Sequence, residues 1–206
     1  GDPMEGALLS FAGKVGIDAS KERLKWMRTD AIPFDSKHRF MATLLHDHEQ
    51  HAVVYLKGAP EQVIGLCKDQ VGKNGECVNL DRAYWIDQID AIAAKGQRVL
   101  ALAVKSMNPT QTVLEHQDLI GSMTLIGMVG MIDPPRTETI NAVLECAKAG
   151  IRVKMIPGDH PKTAIAIAKQ IGLQNSNTVL TGTELEKMDE GALRKAVMNC
   201  DIFART

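Results

Sequence analysis

Short apolar segments in the first part of the chain are spaced as a β-hairpin. Residues 40–45 and residues 52–56 are apolar, and residues 46–51 between them are polar. Two apolar runs joined by a short polar segment pair readily as antiparallel neighbours. The pattern therefore predicts an antiparallel sheet in this part of the chain.

A helix and a further strand are predicted next. Residues 81–95 carry Ile86, Ile89 and Ile92 at a spacing that places them on one face of a helix. Residues 98–104 follow as an apolar run that predicts a strand. Helices mixed with hairpin strands in this way indicate an α+β domain.

The last third of the chain shows a regular alternation of helical and apolar strand-like segments. Strands separated by helices of this length are connected by right-handed crossovers, which predicts a parallel, Rossmann-like sheet. The predicted helices are residues 137–149, 161–171 and 184–199, and the predicted strands are residues 151–156, 178–180 and 202–203.

Two consecutive prolines mark the change of pattern. Pro134 and Pro135 each fix the backbone angle φ and remove an amide donor, so they are suited to a stiff connector between domains. The sequence therefore predicts an α+β domain at residues 1–132 and an α/β domain at residues 133–206.

Composition and charge narrow the class of protein. The 206 residues are 45% hydrophobic and 24% charged, with a formal net charge of -1. Nucleic acids and anionic membranes attract clustered lysine and arginine, so we do not expect either as a partner. The most apolar stretch, residues 119–132, is interrupted by glycines and is shorter than the roughly 20 residues that span a bilayer. We interpret it as a buried strand.

The cysteines and a group of histidines are the candidate metal ligands in this sequence. The cysteines contain no Cys-x-x-Cys pair, which is typical of free thiols in a reducing cytosol. His46, His48 and His51 fall in the predicted hairpin turn, where no fourth ligand or fixed scaffold is evident. No metal site is predicted. The four cysteines are Cys67, Cys77, Cys146 and Cys200.

Residues suited to binding a nucleotide lie beside the predicted strands. Gly58 allows a ligand to approach the backbone, and the ammonium group of Lys57 is a mobile charge for phosphate. The ring of Phe34 offers a flat face on which a purine can stack. Gly158 and Asp159 lie between a predicted strand and a helix, where parallel sheets place phosphate-binding loops.

Taken in order, these motifs resemble those of P-type cation-transporting ATPases, most closely the calcium-pump-like branch. The motifs include Gly-Asp-Pro-Met-Glu-Gly-Ala-Leu at residues 1–8, Lys-Gly-Ala-Pro-Glu at 57–61, Asp-Pro-Pro-Arg at 133–136 and Gly-Asp-His at 158–160. The resemblance covers nearly the whole chain. It implies most of an antiparallel-sheet nucleotide-binding domain followed by part of a haloacid-dehalogenase-like phosphorylation domain, within what looks like an excised piece of a larger protein.

The resemblance also implies roles for individual residues. Glu5 would lie beside the adenine and accept its exocyclic amine, while Phe34 would stack on the base. Lys57 and Arg98 would reach the nucleotide phosphates. The nucleotide-binding residues implied in this way are Glu5, Phe34, Arg39, Lys57, Gly58 and Arg98.

Three positions depart from the family pattern. Met4 replaces the usual threonine of the first motif, and Ser36 stands where many calcium-pump relatives have arginine. Lys37 or Arg39 is therefore expected to supply the phosphate-facing charge. Pro157 replaces the threonine of the Thr-Gly-Asp loop, so this position has neither a hydroxyl nor an amide hydrogen to donate to a phosphoryl group.

The resemblance further implies which residues would face the transferred phosphate. The chain lacks the aspartate that would accept this phosphate. The Asp-Lys-Thr-Gly-Thr sequence with the phosphorylated aspartate does not occur, and neither does the Gly-Asp-Gly-x-Asn-Asp loop that helps to hold magnesium. We therefore expect no catalytic residue and no activity in this chain alone. The implied phosphate-side residues are Asp133, Arg136, Pro157, Gly158, Asp159 and Arg205.

The function implied for the parent protein is cation transport driven by ATP. ATP and Mg²⁺ would be its cofactors, and an aspartyl phosphate its intermediate. The chain would be a cytosolic domain of an integral membrane protein, with the transmembrane and actuator domains of the same polypeptide as partners. Two alternatives remain open: a haloacid-dehalogenase-like phosphatase, and a catalytically silent nucleotide-binding module, which Pro157 favours.

Overall fold

The computed structural model describes residues 3–132 and 134–204, which form two compact units. The first unit comprises the residues up to Trp85 together with Val99–Met131, and the second comprises Ile86–Arg98 together with the residues from Ile132 onward. The segment Ile86–Arg98 thus groups with the second unit although it precedes the two prolines.

Eight α-helices and one short 3-10 helix occur in the described residues. None of them is both long enough and apolar enough to cross a membrane. The α-helices are α1 (Pro3–Lys14), α2 (Ala19–Lys25), α3 (Pro60–Leu66), α4 (Arg82–Ala93), α5 (Thr137–Lys148), α6 (Pro161–Gln170), α7 (Gly182–Leu185) and α8 (Glu190–Asn199), and the 3-10 helix is His116–Asp118.

The described strands form one large and one small sheet. The large sheet has seven strands in the order β1-β2-β3-β6-β7-β4-β5, and the small one pairs β8 with β9. The strands are β1 (Met27–Ile32), β2 (Phe40–His46), β3 (Ala52–Gly58), β4 (Cys67–Val71), β5 (Cys77–Asn79), β6 (Arg98–Met107), β7 (Met123–Met131), β8 (Val179–Thr181) and β9 (Ile202–Ala204).

The large sheet is mainly antiparallel, as the sequence predicts. Strand β2 pairs antiparallel with β3 over their whole length, from Phe40 opposite Gly58 to His46 opposite Ala52. The predicted hairpin is therefore confirmed. One pair in the sheet, β4 with β7, is parallel.

Alternating burial along the central strands builds the core of the first unit. Side chains at every second position of a strand point to the same side of the sheet. The central strands bury the residues on one of these two sides. Helix α3 adds two apolar side chains to this core. The residues concerned are Phe40, Ala42 and Leu44 of β2, Val54 and Leu56 of β3, Ala101 and Ala103 of β6, and Val63 and Ile64 of α3.

The second unit has helices around a small parallel sheet. Strands β8 and β9 are parallel, and Met155 forms a single parallel bridge with Ile202. The strand predicted at residues 151–156 is thus reduced to this one bridge. The apolar core consists of Val143, Ala164, Ala168, Ile171, Leu173, Ile202 and Ala204.

The helix predicted at residues 184–199 is divided in two. Helix α7 ends at Leu185, and α8 begins at Glu190. The Asp189 carboxylate accepts a hydrogen bond from the amide of Ala192 at 2.7 Å, so Asp189 caps the new helix. Aspartate is among the strongest N-cap residues because its side chain satisfies an otherwise unpaired helix amide.

A buried carboxylate organises one end of the second unit. Asp201 is only 1% exposed, and its oxygens accept hydrogen bonds from Arg152 (2.5 Å), Lys154 (3.2 Å) and Asn175 (3.0 Å). The two cations also donate to carbonyl groups at the end of α8, Arg152 to Met198 and Lys154 to Val197. The cations therefore join Asp201 to the carbonyl end of the helix, where positive charge is favourable.

The environment of Asp201 lowers the pKa of its carboxyl group. Burial alone would raise this pKa, but the hydrogen bonds from Arg152, Lys154 and Asn175 more than offset that effect. Because the folded-state pKa lies below the ordinary value of 3.8, ionised Asp201 stabilises the fold at pH values above 3.8. This contribution is lost as the pH falls through the lowered folded-state pKa.

We expect Asp201→Asn to destabilise the second unit by about 2 kcal/mol, because the cations lose their buried counter-charge. The difference from wild type should shrink as the pH falls below 3.8. Hydrogen exchange of the α8 amides measures this, because both tryptophans, Trp26 and Trp85, lie in the first unit. Glu186→Gln, at an exposed position, is the control. Equal protection in both variants would contradict a stabilising role for Asp201.

Gly58 allows β2 and β3 to approach closely where the hairpin ends. A Cβ atom at this position would lie 2.5 Å from the Phe40 Cβ and 2.6 Å from the Arg39 carbonyl oxygen. Both neighbours belong to the backbone or to the root of a side chain, so they cannot rotate away.

Gly58→Ala should therefore cost about 1–3 kcal/mol, since extra volume in a well-packed site forces the backbone to move. Urea unfolding followed by tryptophan fluorescence reports on the first unit and measures this loss. Gly65→Ala is the matched control, because a Cβ there meets no atom within 4 Å and alanine favours a helix. If Gly58→Ala were as stable as Gly65→Ala, the close approach would not constrain the hairpin.

Candidate functional site

Phe34 lies in an exposed loop between β1 and β2. Its side chain is 64% exposed, so its ring contributes little to the core and is open to a ligand. The Asp35 carboxylate accepts a hydrogen bond from the amide of Lys37 at 2.6 Å, and the Asp35 carbonyl accepts one from the amide of Arg39 at 2.7 Å. These short-range hydrogen bonds, typical of aspartate in turns, define the loop beside Phe34.

Arg39 connects this loop to the segment that follows β3. Its backbone adopts a left-handed conformation with φ of 56°, and its carbonyl accepts a hydrogen bond from the amide of Ala59 at 2.8 Å. Its guanidinium Nη1 lies 3.6 Å from the Glu61 carboxylate. The loop that carries Phe34 and the loop that follows Lys57 are therefore held next to each other.

Lys57 and Glu5 form an ion pair. The Lys57 Nζ atom lies 2.8 Å from the Glu5 Oε1 atom, and both side chains are partly exposed. This pair joins the first turn of α1 to the end of β3, although the two residues are 52 positions apart. The structure thus brings together two residues that the family resemblance places in one site, while the adjacent Gly58 is buried.

A cluster of aromatic rings lies beside the same loop, and the sequence analysis missed it. The ring centroids of His38 and His116 are 4.7 Å apart, and that of Phe40 lies 5.8 Å from His116 and 5.9 Å from His38. His116 belongs to the 3-10 helix, far along the chain. No local pattern could have indicated this contact, because it depends on how the sheet brings distant segments together.

Arg98 is paired with Asp159 in the second unit. The Arg98 Nε atom lies 2.8 Å from one carboxylate oxygen of Asp159, and Nη2 donates a hydrogen bond to the other at 3.3 Å. This is the two-point geometry that arginine favours with carboxylates and phosphates. Asp159 is largely buried, whereas the Arg98 side chain is about half exposed.

The loop that contains Asp159 leads into helix α6. Pro157 is half-buried and Gly158 is exposed, and His160 caps the helix by accepting a hydrogen bond from the amide of Lys162 at 3.3 Å. Pro161 occupies the first helical position. A loop that enters the N-terminus of a helix is a favourable place for an anion.

Of the other predicted phosphate-side residues, Arg136 alone lies in the described part of the chain. Arg136 is exposed at the N-cap position of α5 and makes no side-chain capping hydrogen bond. Asp133 and Arg205 lie outside the described residues.

Two of the three histidines at the hairpin, His46 and His51, have different partners. His51 Nδ1 lies 2.7 Å from the Asp47 carboxylate, and ligand atoms of Asp47, Glu49 and His51 fall within 4.8 Å of one another. His46 instead makes a hydrogen bond with the Thr29 hydroxyl at 2.6 Å. The hydrogen bond with Asp47 raises the pKa of His51, so an ordinary carboxylate–imidazole ion pair accounts for the close approach.

The candidate residues therefore divide between the two units. Glu5, Phe34, Arg39, Lys57 and Gly58 belong to the first unit, and Arg98 belongs to the second with residues 157–159. Within the first unit, Phe34 and Arg39 lie on one loop, and Lys57 lies near the end of β3, where the residue after the strand donates a hydrogen bond to that loop. Such a set can bind a planar base and an anionic group.

The family model and the relatives that match this chain all belong to one protein family. The family model described as P-type ATPase, cytoplasmic domain N, matches residues 1–138. The cation-transporting ATPase pma1 of Synechocystis sp. is 39% identical over 100% of this chain and 23% of its own length. The probable cation-transporting ATPase F of Mycobacterium tuberculosis is 39% identical over 100% of the chain and 23% of its own length.

A third relative, the calcium-transporting ATPase 1 of Lactococcus lactis, is 37% identical over 100% of this chain and 24% of its own length. The chain thus spans about a quarter of the length of these relatives. The family model covers well over half of the chain and includes every candidate residue of the first unit. The chain therefore belongs to the P-type cation-transporting ATPases.

Proposed function

We propose that this chain is the ATP-binding cytosolic part of a P-type ATPase that couples ATP hydrolysis, through an aspartyl phosphate, to cation transport across a membrane. The observation that carries the proposal is the exposed ring of Phe34 on a loop that is hydrogen-bonded to the segment after Lys57. The transmembrane and actuator domains of the parent polypeptide would be its partners.

The adenine would bind to the first unit. An exposed aromatic ring gives a base a stacking surface worth roughly 1–3 kcal/mol. The Glu5 carboxylate can accept a hydrogen bond from the exocyclic amine of adenine, because its oxygens offer more lone pairs than the contact with Lys57 uses. Phe34 and Glu5 would thus recognise the face and the edge of the same base.

Cations for the phosphates are already present, and each is paired with a carboxylate. Lys57 is paired with Glu5, Arg39 with Glu61 and Arg98 with Asp159. The distances are 2.8 Å, 3.6 Å and 2.8 Å, respectively. A triphosphate would replace one anionic partner with another. Such an exchange keeps each cation paired, while the displaced carboxylate needs a new donor.

The phosphorylation chemistry belongs to the parent protein. Mg²⁺ prefers carboxylate and phosphate oxygens in octahedral geometry, but the Asp159 carboxylate is already paired with the Arg98 guanidinium. The described phosphate-side residues therefore do not make a complete magnesium site. In the haloacid-dehalogenase-like domain that we propose for residues 133–206, the Gly158 loop would face the transferred phosphoryl group.

The transported cation is left unassigned within this proposal. The relatives are named as calcium-transporting pumps and, in Schizosaccharomyces pombe, as a sodium/potassium exporting pump. Calcium fits the branch that the motifs resemble. A second candidate, a catalytically silent nucleotide-binding module, is favoured by Pro157, whose ring removes the hydroxyl and the amide donor from the phosphate loop.

Phe34→Ala should weaken ATP binding by roughly 1–3 kcal/mol, because the base loses its stacking partner. Titration calorimetry on the 206-residue chain measures this change. Phe11→Ala removes another exposed ring from the same unit, 56% exposed, and is the matched control. Unchanged affinity in Phe34→Ala would exclude Phe34 from the site. Failure of the wild-type chain to bind any adenine nucleotide at millimolar concentration would overturn the proposal itself.

The isolated chain should form no acid-stable phosphoenzyme, because phosphoryl transfer needs an in-line nucleophile, magnesium and cations placed together. Incubation with γ-labelled ATP followed by an acid quench tests this directly. Pro157→Thr should not restore labelling in the chain alone. In the complete parent enzyme, the same change should raise phosphoenzyme formation if the missing hydroxyl limits the reaction. Label retained by the wild-type chain would contradict our assignment of the nucleophile to another segment.

A further inference from the structure

Two side chains at the start of α6 contact the segment that leads to Arg98. Lys162 Nζ lies 2.6 Å from the Asp90 carboxylate, and the Thr163 hydroxyl donates a hydrogen bond to the Gln97 carbonyl at 3.0 Å. All of these residues belong to the second unit. Helix α6 is thus attached both to α4 and to the residue that directly precedes Arg98.

Of the two contacts, the hydrogen bond of Thr163 is the more costly to lose. Thr163 is 1% exposed. Without this hydrogen bond, its hydroxyl would be a buried donor with no acceptor, which destabilises the fold. A helical threonine commonly bonds to a carbonyl of its own preceding turn, but here the acceptor is 66 residues away. By contrast, the Lys162 and Asp90 side chains are substantially exposed, and such pairs contribute little.

Thr163 also lies close in sequence to the residue that holds the Arg98 side chain. Asp159 precedes α6 by two residues, and Thr163 is the third residue of this helix. The same short segment therefore holds Arg98 at two points, the side chain through Asp159 and the backbone through Thr163 and Gln97.

We propose that Thr163 is a positioning residue for Arg98. This inference rests on the proposed function, in which Arg98 binds the nucleotide phosphates. When Arg98 exchanges Asp159 for a phosphate, the Thr163 hydrogen bond keeps its backbone in place. The guanidinium then needs only a side-chain rearrangement, which lowers the entropy that ligand binding costs.

A nucleotide-free measurement tests the positioning directly. In wild type, the Nη2 protons of Arg98 should exchange slowly with solvent in NMR spectra, because Asp159 accepts a hydrogen bond from Nη2. Thr163→Val keeps the branched shape but loses the hydroxyl, and it should speed this exchange by about tenfold. Thr163→Ser restores the hydroxyl and should return the rate to the wild-type value. Thr139→Val, at an exposed threonine of α5, should have no effect.

A binding measurement then tests the functional consequence. Thr163→Val should reduce the ratio of ATP affinity to adenosine affinity by about tenfold, because only ATP uses Arg98. In a variant that already carries Arg98→Ala, the addition of Thr163→Val should leave this ratio unchanged. A merely structural role for Thr163 would instead lower both affinities equally and act in either background.

The outcomes separate this inference from the proposed function. If the chain binds no adenine nucleotide, the proposed function fails, while the exchange rates still decide whether Thr163 positions Arg98. If the Arg98 Nη2 protons exchange with solvent as slowly in Thr163→Val as in wild type, the inference is wrong. If that variant does not fold, the wild-type Thr163 hydroxyl proton should show a nuclear Overhauser contact to the Arg98 α-proton, and the absence of this contact would overturn the inference as well.

Discussion

The close approach of two backbones at Gly58 determines how the loops of the first unit meet. With no Cβ at this position, β3 can run against Phe40 and the Arg39 carbonyl until the strand ends. The next amide, that of Ala59, then reaches the same carbonyl. This contact keeps the loop with Phe34 beside Lys57, and Lys57 in turn holds α1 through Glu5. A single missing methyl group thus sets the geometry of the candidate site.

Much of the fold could be predicted from local patterns. The hairpin at residues 40–58 follows from two apolar runs and a polar turn, and α6 follows from a proline at its start and a helical apolar spacing. These elements depend on neighbours in sequence, for which propensity and periodicity are informative. The strand predicted at residues 151–156 is reduced to one bridge, because its pairing depends on distant residues near Ile202, which apolar composition cannot indicate.

Long-range contacts were the part that the sequence could not reveal. The motifs indicated that Glu5, Lys57, Arg98 and Asp159 matter, but not that they pair with one another. The attachment of Ile86–Arg98 to the second unit and the contact between the tilted rings of His38 and His116 depend on tertiary packing. The burial of Asp201 could not be predicted either, because in the sequence an aspartate ahead of a short strand resembles an ordinary surface residue. Its three hydrogen-bond donors come from distant positions in the chain.

The carboxylate partners of Lys57, Arg39 and Arg98 have a consequence for selectivity among anions. A free cation attracts any small anion in the surrounding solution, including chloride. A cation that already has an intramolecular carboxylate partner yields only to a competitor with greater charge density or several points of attachment. Background electrolytes would therefore weaken these three pairs by screening without displacing the carboxylates, whereas a polyphosphate anchored through its base would displace them.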